Sequence, residues 1–78
     1  MGMRQNNSVI IGINNQIRYY GDKIRYLELD IAEILEPYKN SGEDILKSDK
    51  DDIESKREKI KYYEALKEKE MKRLKNLR

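Results

Sequence analysis

Carboxylate side chains that could bind a metal ion are densest at residues 48–54, SDKDDIE. Closely spaced acidic residues supply the oxygen ligands that Ca²⁺ prefers. A calcium-binding loop beginning at Asp49 would need glycine at its sixth position and glutamate at its twelfth, where this chain has Glu54 and Ile60. We therefore interpret this run as the solvated first turn of a helix and expect no metal site.

Basic side chains that could contact phosphate are concentrated in residues 56–78, which contain ten Lys or Arg, four Glu and two Tyr. Amines bind phosphate groups, and tyrosine rings can stack on bases. The interleaved glutamates would repel phosphate, and the formal net charge of the chain is only +2. A small nucleic-acid-binding regulator is therefore the second hypothesis for function. Its contact residues would be Lys69, Lys72, Arg73 and Lys75.

The chain lacks the side chains on which most enzymatic sites depend. It contains no Cys and no His, which removes the usual general base, the thiolate nucleophile and the common zinc ligands. It also has no glycine-rich phosphate loop and no nucleophile beside a base. We expect no enzymatic activity, no cofactor and no small-molecule substrate.

A four-residue motif of apolar, basic, aromatic and apolar residues occurs three times, as IRYY at 17–20, IRYL at 24–27 and IKYY at 60–63. Seven residues, the coiled-coil repeat, separate the first two copies. The tyrosine at the third position of each copy lies beside a basic residue, and Tyr and Arg are enriched in interface hot spots. These tyrosines could form a second interface, or their rings could lie over core residues with the hydroxyls in water. They are Tyr19, Tyr26 and Tyr62.

Apolar residues in the first half of the chain recur at alternating spacings of three and four. This pattern predicts the a and d positions of a coiled coil, where one stripe of a helix faces a partner helix. We call these residues the a/d stripe and expect them to form an oligomer or partner interface. The stripe consists of Ile10, Ile13, Ile17, Tyr20, Ile24, Leu27, Ile31 and Ile34, and Tyr38 continues it. The alternative is a short strand at 9–13 with a helix beginning near Asp22, because β-branched residues and glycine disfavour helix.

Two helices are expected, from about 8 to 37 and from about 43 to 76, with a turn at 38–42. Pro37 and the KNSG sequence after it end the first helix. Ser41 followed by Asp44 could cap the second helix, and Ser48 could cap it later.

The a/d positions of the second helix are less uniformly apolar than those of the first. The apolar ones are Leu46, Ile53, Ile60, Tyr63, Leu74 and Leu77, and the polar ones are Asp49, Lys56, Lys67 and Glu70. Folding the chain back about residue 40 pairs residues whose numbers sum to 80 and sets the third IKYY motif against the first. It leaves Ile10, Ile13, Ile24 and Ile31 opposite the four polar positions, unless Leu66 and Met71 cover Ile10 and Ile13.

The predicted fold is therefore a single all-α domain, residues 1–78, forming an antiparallel two-helix coiled-coil hairpin. Charged residues make up 41% of the chain and apolar residues 37%, so disorder is an alternative that the regular periodicity argues against. A chain of 78 residues buries little apolar surface, and without disulfides oligomerisation is the remaining source of stability. We expect four-helix bundle assembly, as a homo-oligomer with a dimer favoured, or with a helical protein partner.

The function expected from this fold is a small non-enzymatic protein–protein interaction module, such as an adaptor, a regulator or a chaperone-like subunit. The only apolar run, Val9 to Ile11, is too short for a membrane span or a signal-peptide core, which favours a cytoplasmic protein. Abundant Ile, Lys, Asn and Tyr, all with AT-rich codons, hint at a bacterial or phage source.

Overall fold

The protein is a helical hairpin in the computed structural model, which describes the backbone of residues 2–77 and the side chains of residues 7–77. Helix α1 (Gly2–Leu35) is followed by one 3₁₀ turn (Glu36–Tyr38), and helix α2 (Lys47–Asn76) returns along α1. The described residues contain no strand. The prediction of an all-α hairpin of two packed helices is confirmed.

The a/d stripe of α1 faces α2. Ile13 and Ile31 are 2% and 9% exposed, the other six residues of the stripe are half-buried, and nearly all other described side chains of α1 are exposed. Residues 9–13 are helical, so the alternative of a strand there is wrong. The helix also begins earlier than the predicted residue 8, at Gly2.

Helix α1 ends, and the chain turns back, because of a proline and a glycine. Pro37 lies in the 3₁₀ turn, where its fixed φ is compatible with the tighter geometry, and the N–H of Lys39 donates to the carbonyl of Glu36 at 3.3 Å. Gly42 then adopts φ 69°, in the left-handed region that residues with a Cβ rarely occupy. The chain reverses direction through these residues, close to the predicted end of the first helix.

Helix α2 begins at Lys47, four residues after the earlier of the two expected starts and within two residues of the later one, and neither serine caps it. The Oγ of Ser41 accepts the N–H of Glu43 at 3.2 Å, which makes a local turn instead of a helix cap. Ser48 already lies inside the first turn of α2. Leu46 precedes Lys47 in an extended conformation, φ −60° and ψ 146°, and makes no side-chain capping bond.

Residues 39–46 therefore connect the helices, in place of the turn predicted at 38–42. Within this connection Ile45 is half-buried and lines a cleft with Leu35 and Ile53, whereas the predicted core residue Leu46 is 64% exposed. Partial burial of the Ile45 side chain favours this path of the connection and the late start of α2.

The antiparallel register also differs from the prediction, by one heptad. The hydroxyl of Tyr38 donates a hydrogen bond to Asp49. The numbers of these two facing residues sum to 87, whereas the predicted register paired residues whose numbers sum to 80. Lys56 lies beside Asp30, with a sum of 86, where the prediction set it opposite Ile24. The longer connection moves the turning point from residue 40 to between residues 43 and 44. A shift of seven in the sum keeps every a position opposite a d position.

This shift changes which isoleucines are covered. Ile13 and Ile31, predicted to lie half-covered opposite polar residues, are two of the three buried apolar residues within 7–77, and Ile53 is the third. In the observed register Ile13 lies opposite Leu74 in place of Lys67, which accounts for its burial. Ile31 lies opposite Lys56, a half-buried residue whose aliphatic stem can cover an apolar neighbour, so a polar partner did not leave Ile31 exposed. Ile10 and Ile24 are half-buried.

The hairpin is long, thin and sparsely buried. Its extents are 62 × 15 × 15 Å, and no described side chain larger than alanine reaches full burial. Because the hairpin is only two helices across, every described side chain lies close to the surface. The two helices alone therefore do not enclose a core that excludes water.

Candidate interaction surface

Four tyrosine rings form a continuous row across the middle of the hairpin. The rings of Tyr20 and Tyr63 meet between the helices with centroids 6.2 Å apart. Tyr19 packs edge-on against Tyr20 at 5.7 Å, and Tyr62 packs edge-on against Tyr63 at 5.5 Å, both favourable aromatic geometries. In the observed register the third copy of the repeated motif lies opposite the second copy, residues 24–27, and reaches the first copy only through the contact of Tyr63 with Tyr20. The prediction that it lies directly against the first copy is therefore wrong by one heptad.

The outer tyrosines are exposed on one face of the hairpin. Tyr19 and Tyr62 each precede a core tyrosine by one residue, and in two antiparallel helices positions with the same offset from the core lie on the same face. Tyr26 follows Tyr19 by seven residues and shares its side of α1. Their exposures are 51%, 62% and 65% for Tyr19, Tyr62 and Tyr26. More than half of each tyrosine therefore remains in solvent, although Tyr19 and Tyr62 also pack against the core tyrosines.

We call this surface the tyrosine face. It consists of the side chains that lie on the same side of each helix as the three exposed tyrosines. On α1 it comprises Gln16, Tyr19, Lys23, Tyr26, Asp30 and Glu33, and on α2 Asp52, Lys59, Tyr62, Leu66, Lys69 and Arg73. The ammonium of Lys23 lies 5.5 Å from the centroid of the Tyr19 ring, within cation–π range. The expected cationic neighbours of the tyrosines were the adjacent arginines. Tyr19 instead contacts Lys23, four residues along the helix, a spacing that brings two side chains together on one face.

A cleft lies beside the tyrosines at each end of the face. Toward the loop, the cleft is acidic and is lined by Asp30, Glu33, Ile34, Asp52 and Lys56. Toward the termini, the other cleft is lined by Val9, Gly12, Ile13, Gln16, Tyr20, Glu70 and Arg73. The two ends of the same face therefore differ in charge.

Charge is separated along the length of the hairpin in the same direction, with the acidic end at the loop. In the register set by Tyr38 and Asp49, residues 28 and 59 lie at the same height, so 28–59 form the loop end. The loop end has eleven acidic and six basic residues, a net charge of −5. The rest of the described side chains, the open end, have nine basic and four acidic residues, a net charge of +5.

Two polar residues in the a/d positions of α2 are paired at the edges of the helix interface. The hydroxyl of Tyr38 donates to Asp49 and accepts the N–H of Leu46 at 3.4 Å. The hydrogen bond to Asp49, with desolvation, raises the pKa of Tyr38 above its ordinary value of 10.0. The Nζ of Lys56 lies 2.8 Å from Oδ1 of Asp52, and this hydrogen bond raises the pKa of Lys56, although desolvation opposes it.

The four residues of the nucleic-acid hypothesis are exposed but do not form one basic face. Lys72 lies 3.8 Å from Glu68, and Arg73 lies 3.7 Å from Glu70. Arg73 lines the cleft with Gly12, whereas Lys75 lines a different cleft with Met71 on the opposite side of the hairpin. Lys69 is exposed on the outer side of the tyrosine face.

Other kinds of site find little support in the part of the chain that the structure describes. No group of three or more Asp or Glu residues is placed to hold a metal ion among residues 7–77. Neither α1 nor α2 has a stretch that is both apolar and long enough to cross a lipid bilayer. No protein-family model matches the sequence, and no curated protein and no solved structure is significantly similar to it.

Proposed function

We propose that this chain is a small non-enzymatic protein–protein interaction module, acting as an adaptor, a regulator or a chaperone-like subunit. It completes its core by packing helices against another helical chain, as one half of a four-helix bundle. The proposal includes the cytoplasmic location expected from the sequence.

The observation that carries this proposal is the small core of the hairpin together with its exposed tyrosines. Among the side chains of residues 7–77, only Ile13, Ile31 and Ile53 are buried, while Tyr19, Tyr26 and Tyr62 are each more than half exposed. Tyrosine is enriched at interface hot spots because it buries a large ring at a low cost in conformational entropy. A hairpin this thin is expected to gain most of its stability on association.

Nucleic-acid binding is the second candidate, supported by the net charge of +5 that the described side chains give the open end. The pairing of Lys72 and Arg73 with glutamates and the position of Lys75 on another side weigh against a continuous phosphate-binding surface. A gel retardation assay across salt concentrations separates the two candidates. Salt-sensitive binding lost in Lys69→Ala with Arg73→Ala, but kept in Tyr19→Ala with Tyr26→Ala, would favour the nucleic-acid function.

Thermal unfolding followed by circular dichroism tests the interaction function directly. Association stabilises the folded chain by mass action, so the Tm should rise over about two orders of magnitude in protein concentration. If the partner is a different protein, the chain alone should instead unfold over a broad range without a cooperative transition. A sharp transition independent of concentration, at the mass of a single chain, would contradict the proposal.

A further inference from the structure

We propose that the tyrosine face binds a second copy of this chain in antiparallel orientation, with the acidic loop end of each copy against the basic open end of the other. This inference rests on the proposed function, because it names the partner of the same helical surface.

The exposed area of the hairpin is sufficient for such an interface. Its accessible surface is 6700 Å², whereas a compact monomer of 9.4 kDa exposes about 5,000 Å². A standard protein–protein interface removes about 800 Å² from each partner. Burial of one long face would therefore bring the surface of each chain toward that of an ordinary folded protein.

Electrostatic complementarity identifies the second copy as the occupant of this face. Among residues 7–77, the loop end carries a net charge of −5 and the open end a net charge of +5. Two antiparallel copies place opposite charges together at both ends, whereas two parallel copies would place like charges together at both ends. Complementary charge steers encounter and selects orientation, because like-charge contacts across an interface are costly.

The position of the tyrosines favours the same arrangement. In the observed register Tyr62 lies at the height of residue 25, so Tyr19, Tyr26 and Tyr62 occupy about 10 Å near the middle of the hairpin. A twofold axis midway between Tyr19 and Tyr26 sets Tyr19 of one copy over Tyr26 of the other. The same axis brings Asp30 to within one residue of the height of Arg73 in the second copy.

The result is an interface with aromatic residues at its centre and charged residues at its rim, as is common at protein–protein interfaces. All four neighbouring helix pairs in this bundle would be antiparallel, an arrangement in which the helix dipoles attract. The self-complementary patch also satisfies the requirement of a closed twofold dimer, in which both subunits use the same surface.

Charge reversal tests the orientation. Asp30→Lys with Glu33→Lys makes both ends of the face basic, and Lys69→Glu with Arg73→Glu makes both ends acidic. Each pair should raise the dissociation constant of the dimer at least about tenfold at low salt, and added salt should partly restore binding. All four substitutions in one chain should restore the dimer, because the ends are again opposite in charge. In a parallel dimer like charges already face each other at both ends, so neither pair of substitutions would create a new like-charge contact. The four substitutions together would then give no recovery of binding.

The chain offers a matched control for charge. Glu28→Lys with Glu54→Lys makes the same change of charge at the same end, but on the opposite face. Glu54 lines the cleft there with Leu35, and Glu28 lies seven residues before Leu35 on the same side of α1. This variant should remain a dimer within about threefold of the original dissociation constant.

Removal of apolar side chains tests which face is buried. Tyr19→Ala with Tyr26→Ala should raise the dissociation constant while leaving helicity unchanged, because both rings lie outside the helix–helix contact of the hairpin. Ile11→Ala with Leu29→Ala removes apolar groups of similar exposure, 60% and 52%, from the other side of α1 and should leave the dimer intact.

Sedimentation equilibrium of these variants separates failure of the inference from failure of the proposed function. A dimer indifferent to the charge pairs and the tyrosines, or one dissociated by the Ile11 and Leu29 substitutions, would overturn the tyrosine face but leave an interaction module. A poorly folded monomer would overturn self-association and favour a different helical partner. A well-folded monomer with a sharp, concentration-independent transition would overturn both.

Discussion

Ile53→Ala should be among the most damaging apolar truncations in this chain, because Ile53 is one of only three buried apolar residues in the part that the structure describes. Its side chain is 6% exposed and lines a cleft with Leu35 and Ile45 where the connection meets α2. The substitution removes three carbon atoms, which at about 0.8 kcal/mol each corresponds to about 2.4 kcal/mol of transfer free energy. Incomplete collapse of the cavity adds to this, and measured Ile→Ala costs in cores are about 2–5 kcal/mol.

We expect a loss of about 2–3 kcal/mol in the free energy of unfolding, at the low end of that range. The hairpin is only two helices thick, so neighbouring side chains and water can occupy part of the space. The total stability of a chain of 78 residues is expected to be about 4–12 kcal/mol. One buried isoleucine would then account for between about a sixth and about three quarters of the total stability.

Urea unfolding followed by circular dichroism at one fixed protein concentration measures this loss. Leu29→Ala is the matched control, since Leu29 is 52% exposed on α1 and its removal should change the free energy of unfolding by less than about 0.5 kcal/mol. An Ile53→Ala variant indistinguishable from Leu29→Ala would show that Ile53 is not part of the helix–helix core.

Three further predictions concern polar and buried positions between the helices. Lys56→Leu should raise the Tm, because it places an apolar side chain between the helices and removes only one ion pair, with Asp52. A lower Tm would mean that this ion pair is required. The raised pKa of Tyr38 means that the folded state holds this proton more tightly, so the stabilisation is complete below pH 10 and is lost as pH rises through the raised pKa. Urea unfolding should therefore show a steeper decline above pH 10 in the original chain than in Tyr38→Phe, and parallel declines would contradict the bond to Asp49. Ile31→Asp should abolish helicity and association together, because Ile31 is 9% exposed against α2; retained helicity by circular dichroism would refute its burial.

The a/d stripe could be predicted from sequence because helix geometry alone fixes which residues share a face. Spacings of three and four from Ile10 to Ile34 place all eight side chains toward one partner, and the structure buries or half-buries each of them. The end of α1 was predictable for a similar local reason, since Pro37 constrains its own backbone and that of its neighbour.

The register could not be predicted in the same way because it depends on the length of the connection. Pairings that sum to 80 and to 87 both place a opposite d, so the heptad pattern cannot distinguish them. Local capping signals at Ser41 and Ser48 offered two starts for α2, and the structure uses neither. The burial of Ile45, a tertiary contact, accompanies the start that is observed.

The candidate surface was partly predictable. Tyr19, Tyr26 and Tyr62 stand out in the sequence as a repeated feature outside the a/d stripe. The charge separation was hidden, because residues 1–42 sum to zero while their basic and acidic parts lie at opposite ends of α1. Only the fold places the acidic end of α1 beside the acidic start of α2 and so reveals two oppositely charged ends.

The mass of the chain in solution tests the central claim most directly, because the claim is that this hairpin completes its core by packing against another chain. Light scattering after size exclusion, at several loading concentrations, gives that mass independently of shape, which matters for a molecule 62 Å long. We predict a mass of twice 9.4 kDa that falls toward a single chain on dilution. A mass of 9.4 kDa at every concentration, from a protein with full helicity and a sharp thermal transition, would contradict the claim.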